Sequence, residues 1–160
     1  MRIGFLTDAS VARLDWAAHR AAHSAQAEPL DSARLAGVAP SEMPHLTFTM
    51  ESSLSLLSSP WPVDRIWRAH QGGGEPTERL DLDAGGVCLE IRSAGESVTL
   101  RALDPPTYAF RDALARGLTL GEAAGLALES HPTFDLVQAI RELLDESLLS
   151  ELHITSRDKG

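Results

Sequence analysis

A chain of 160 residues with 43% hydrophobic residues has the size of one domain or two very small ones, with enough apolar side chain to build a core. Its formal charge of −9 argues against nucleic acid, whose non-specific affinity rests on Lys and Arg neutralising phosphates, and equally against anionic membranes. A single cysteine, Cys88, excludes an internal disulfide framework and a thiolate zinc cluster, and fits a reducing compartment. The opening "MRIGFLTDAS" meets Asp8 after a short apolar run, so neither a signal peptide nor a spanning helix is expected, and a cytoplasmic location is.

Val11, Leu14, Ala18, Ala21 and Ala22 recur near helical spacing, with Trp16 beside them and no Gly or Pro from 9 to 27, which predicts a helix. "PLDSARLAGV" reads as a short helix with Gly37 past its end, and "APSEMP" as a linker. "HLTFTMESSLSLLSS" alternates apolar and polar residues and predicts one or two strands. "SPWPVDRIWRAHQ" places two of the three tryptophans in thirteen residues, as a short helical turn or an extended contact segment. "GGGEPTE" then breaks the pattern and is expected to be a mobile loop.

In the second half, Val87, Leu89 and Ile91, a turn at "SAGES", and Val98, Leu100 and Ala102 describe a β-hairpin. Three helices follow: "PPTYAFRDALARG", with Pro in its first turn and Gly117 at its end, "TLGEAAGLALES", and "TFDLVQAIRELLDESLL". Thr119 and Glu122 have the spacing of a capping box, in which each side chain satisfies a free backbone N–H of the other residue. Val137, Ile140, Arg141 and Leu144 fall on one face of the third helix, and "LLSELHI" is a candidate returning strand. The expected fold class is α+β. N-terminal helices and a strand segment (1–71) would pack on a hairpin plus three-helix, winged-helix-like unit (86–154), with a flexible loop at 72–85 and a tail at 155–160.

A winged helix often binds DNA. Over residues 105–154, however, Arg111, Arg116 and Arg141 stand against Asp112, Glu122, Glu129, Asp135, Glu142, Asp145, Glu146 and Glu151, a net of −5. Such a surface repels a phosphate backbone and directs the fold toward peptide or protein binding.

Catalytic patterns are weak. His19 and His23 stand four apart on a helix and share a face, but no glutamate of a zincin motif lies between them and spacing supplies no third ligand. Surface histidines, a metal pair or a partner contact are the open readings. His131 precedes Pro132 at a helix boundary and reads as a turn residue. The "GGG" at 72–74 lacks the Lys and Ser/Thr of a phosphate loop, "ESSLSLLSS" lacks the glycines of a nucleophile elbow, and Asp81 and Asp83 lack the later acid of a calcium loop. No chemistry, metal or cofactor of the chain's own is expected.

The ordered succession "RLDWAAHRAAHSA", "SPWPVDRIWRAHQ" and "ARGLTLGEAAGLAL…FDL", spread over residues 9 to 150, resembles the C-terminal portion of the bufferin-type peptide modification chaperones. That family has also been described as DNA-binding. The resemblance implies a subunit that partners a multinuclear non-haem iron oxidative enzyme and presents to it a short cysteine-bearing precursor peptide. Longer members carry a further helical domain before this region, whereas here the chain begins almost at the "ARLDW" helix, so functions lodged in that domain do not carry over. The resemblance further implies a peptide-recognition element in which a leader adds as a strand to a sheet edge, here 97–102, beside the helix 134–146. Its peptide-binding residues would be Val98, Leu100, Val137, Ile140, Arg141 and Leu144, each of which also suits a core position. Trp61, Arg65, Trp67 and Arg68 are residue types enriched at interface hot spots. They are expected either to staple the N-terminal helices to the C-terminal unit or to dock the iron enzyme. The rivals from other classes are a transcriptional regulator using a helix-turn-helix on DNA, and a metal-binding protein built on His19 and His23.

Overall fold

The computed structural model describes residues 3–71 and 85–155. The expected loop at 72–85, apart from Gly85, and the tail beyond Thr155 lie outside them, as do Asp81 and Asp83. The chain is α+β and forms two compact units, each assembled from two separate stretches: the chain up to Ser24 with Ser53–Leu103, and Ala25–Ser52 with the chain from Asp104 onward.

In the first unit, helix α1 (Ile3–His23) lies on a three-stranded antiparallel sheet of order β2 (Ser55–Ser59), β3 (Val87–Ala94), β4 (Ser97–Leu103). Leu14, Ala18 and Ala21 recur at i, i+4 and i+7, so one stripe of α1 is apolar and, at the two alanines, small enough to let the sheet approach closely. Opposite them stand Leu57, Leu89 and Ile91, and together these residues with Val63 form the core of the unit. β3 is central; Leu89 and Ile91 share the face that joins the core, and Glu90 between them is buried on the opposite face. The hairpin closes through a two-residue loop between Ala94 and Ser97, with Gly95 at φ +67°, the position where a type II′ turn needs glycine. "VDRIWRAHQ" is a helix, α3 (Val63–Gln71), packed on α1 and β3.

The second unit holds the short helix α2 (Ser32–Ala36), a 3-10 turn at Met43–His45, strand β1 (Leu46–Met50), helices α4 (Pro105–Ala115), α5 (Leu120–Ser130) and α6 (Leu136–Asp145), and strand β5 (Leu149–Ile154). β1 and β5 pair antiparallel from Leu46 opposite Ile154 to Met50 opposite Leu149. The returning strand read from "LLSELHI" is therefore present. Each main helix start is capped by its own sequence. Asp104 accepts from Thr107 N–H at 3.0 Å, Thr119 and Glu122 form the capping box, and Asp135 accepts from Gln138 N–H at 3.0 Å. α4 and α6 close in Schellman geometry: Leu118 N–H reaches Ala113 O at 3.1 Å and Leu148 N–H reaches Leu143 O at 2.9 Å. The left-handed position is Gly117 after α4, but Ser147, at φ 56°, after α6.

Of two expectations here, the strands of 46–59 are met and the placing of the hairpin is revised. The region 46–59 forms two strands, and they enter different sheets, because Leu46 and Phe48 bury into the second unit while Leu57 joins the core of the first. The hairpin, expected to share one unit with the three helices, instead pairs with β2 under α1, and α4 to α6 share their unit with β1 and β5. The hairpin's apolar face needed a cover, and the small-residue stripe of α1 supplies it.

Candidate functional site

Trp61 and Trp67 are half-buried, and both pack against the core of the first unit. The indole N–H of Trp67 donates to Asp15 Oδ1 on α1 at 3.4 Å. One nitrogen of Arg68 pairs with Asp64, a turn earlier on α3, at 3.3 Å, and the other donates to the Leu100 carbonyl on β4 at 3.3 Å. The segment thus ties α3 to α1 and to the hairpin within one unit. Arg65 and Arg68 remain exposed on its outer side.

The residues expected to bind peptide fall into two groups in separate units. Val98 and Leu100 sit on β4, an edge strand among the described residues, half-buried against the core of the first unit. Val137, Ile140, Arg141 and Leu144 lie on α6 in the second unit. Val137 is 62% exposed and Arg141 is exposed, while Ile140 and Leu144 are half-buried over the buried Ala139 and Leu143. Beside that helix, a groove of about 530 Å³ runs between the start of α4 and the start of α6, lined by Pro105, Thr107, His131, Phe134, Gln138 and Glu142 among others. The carboxylates of Asp104 and Asp135 at its rim are already engaged as helix caps.

A second groove, of about 290 Å³, belongs to the first unit. It lies between Arg13, Trp16, Ala17 and Arg20 of α1 and the consecutive residues Leu54, Ser55, Leu56 and Leu57. Consecutive strand residues point to opposite faces, so a groove lined by all of them follows the strand's edge rather than either face. Among the described residues, β2 has a strand neighbour on one side only. No sequence signal singles out this edge, since strand order decides it; the i, i+3, i+4, i+7 run of Arg13, Trp16, Ala17 and Arg20 was its only legible half.

The rings of His19 and His23 lie 4.3 Å apart between centroids and are tilted by 36°, and Trp16 stacks on His19 at 5.8 Å. His23 Nδ1 lies 2.8 Å from the His19 carbonyl of its own helix, and no group of three metal-ligating side chains occurs among the described residues. Charge counting missed Arg111. It is 1% exposed, with its guanidinium between Glu146 at 3.3 Å and Glu142 at 3.6 Å, so α4 and α6 are joined by a buried cation. The i, i+4 pair of glutamates on α6, facing an arginine inside the apolar stripe of α4, was the available signal. Of the three arginines in residues 105–154, only Arg116 and Arg141 therefore reach the surface. No helix among the described residues is long and apolar enough to cross a membrane. Comparison with family models, curated proteins and solved structures returned no match to this chain.

Proposed function

We propose that the chain is a non-catalytic partner subunit. In this reading it binds the leader of a ribosomally made precursor peptide and presents it to a multinuclear non-haem iron oxidative enzyme that modifies the peptide's cysteine. The observation that carries the reading is the three-stranded antiparallel sheet whose outer strands, β2 and β4, each have a strand neighbour on one side only among the described residues. An edge strand offers a row of backbone donors and acceptors, which an extended peptide can extend by strand addition. The resemblance in sequence supplies the partner and the chemistry. Arg65 and Arg68, exposed on α3, are the side chains offered to the enzyme, with Trp61 and Trp67 holding that helix in place.

The DNA-binding alternative is disfavoured by the net charge of the helical region and by the burial of one of its three arginines. Fluorescence anisotropy with the labelled leader of a candidate cysteine-bearing precursor peptide, and with a labelled duplex of about two helical turns, separates the two readings. The leader is expected to bind, and proline at alternate leader positions is expected to abolish binding by removing donors that face the sheet. Tighter binding of the duplex, or a leader that tolerates every proline, overturns the proposal.

A further inference from the structure

The two edges of the sheet in the first unit are not equivalent. At β4, the Leu100 carbonyl already accepts from Arg68, and Val98 and Leu100 pack against the core. At β2, the groove of about 290 Å³ opens along the strand edge, with one helical stripe of α1 as its other wall. On that stripe Arg13 and Arg20 are exposed, and neither makes a side-chain hydrogen bond or ion pair with another described residue. Between them Trp16 is 64% exposed, the most exposed of the large hydrophobic side chains in the described residues. In a chain of net charge −9, two cations with no ionic partner among the described residues, flanking an open indole at a strand edge, are a local inversion of the molecule's charge.

Resting on the reading that this chain binds an extended peptide, we infer that the β2 edge, not the β4 edge, receives it, and that the segment received is acidic. Arg13 and Arg20 are seven residues apart, about 10.5 Å along the helix axis. Residues on one face of an added strand recur about every 6.8 Å. Acids four apart in the peptide, about 13.6 Å, therefore lie within the reach of two long guanidinium side chains, and the residue midway between them falls over Trp16. The pattern is an acid, any residue, an apolar residue, any residue, and a second acid. Backbone hydrogen bonds to β2 supply affinity that is indifferent to sequence. The two arginines and the indole supply the choice of segment.

The test uses the full chain and two labelled synthetic peptides of seven residues. One has Glu, Leu and Glu at alternate positions; the other has Lys in place of both Glu. The Glu peptide is expected to bind at least tenfold more tightly than the Lys peptide, and the doubly changed protein Arg13→Glu, Arg20→Glu to reverse that preference. Both arginines are exposed, so circular dichroism of the double variant is expected to match the original. Equal affinity for the two peptides, or a preference unmoved by the double change, overturns the inference. So does a dimer, seen by size exclusion, that the double change dissociates, because a second copy would then be the occupant. A precursor leader that binds with unchanged affinity to the Arg13→Glu, Arg20→Glu variant overturns this edge assignment and leaves the leader-binding reading standing. Failure of the leader and both peptides to bind overturns both.

Discussion

Arg111 is the side chain whose replacement tests the second unit most directly. Its guanidinium is 1% exposed, while Glu142 and Glu146 are 41% and 24% exposed at 3.6 and 3.3 Å. Breaking a buried ion pair by removing one partner costs about 3–5 kcal/mol when the other charge is stranded. Here both carboxylates keep contact with water, which lowers that penalty, but Arg111→Ala also empties a large buried volume. A cost of about 3 kcal/mol is expected. Arg111→Met refills the aliphatic volume and leaves only two partly hydrated acids at i, i+4, whose repulsion is about 0.5 kcal/mol. Its cost should be about 1 kcal/mol. Urea unfolding followed by far-UV circular dichroism reads both. With a urea slope of about 1.5–3 kcal/mol per molar, the alanine variant moves the midpoint down by about 1–2 M, and the methionine variant by well under half of that. A double-mutant cycle of Arg111→Met with Glu146→Gln isolates the ionic part. An Arg111→Ala protein within about 0.5 kcal/mol of the original would refute the reading of this residue as a buried tie between α4 and α6.

Trp67→Ala removes a half-buried indole from the core of the first unit and should cost about 2 kcal/mol, less than the 3–5 of a fully buried aromatic; Trp67→Phe, which loses mainly the bond to Asp15, should cost under about 1 kcal/mol by the same urea titration. Ser147 occupies a left-handed position that glycine fills after α4, so Ser147→Gly is expected to stabilise the protein by about 0.5–1 kcal/mol, with a higher melting temperature in calorimetry. A lower one would mean that the serine side chain holds the turn. The purified chain is expected to carry no stoichiometric iron, copper or zinc by elemental analysis; about one metal per chain, lost when His19 and His23 are both changed to Ala, would reinstate the metal-binding alternative.

What could be read before any coordinates were local. The capping box of Thr119 and Glu122, the proline-led start of α4 and its end at Gly117, the apolar stripe of α1 and the hairpin turn at "SAGES" each depend on residues within a few positions of one another, where backbone sterics and nearby hydrogen bonds decide the outcome. The helical state of "VDRIWRAHQ" was one of two local options, and packing against α1 and β3 selected it. Tertiary structure alone decided the strand partners. Leu46 pairs with Ile154 across more than a hundred residues, and β2 leaves its sequence neighbour β1 for the hairpin. The same decisions turned the two indoles of "SPWPVDRIWRAHQ" inward, buried Arg111 between two glutamates, and formed a groove along β2 beside Arg13, Trp16 and Arg20. Hydrophobic burial is non-directional and is satisfied by any apolar face of suitable shape, so a strand's own alternation says which side is apolar but not which distant segment will cover it. That choice rests on the complementarity of whole faces, such as the small-residue stripe of α1 against Leu57, Leu89 and Ile91, which exists only once the chain has folded.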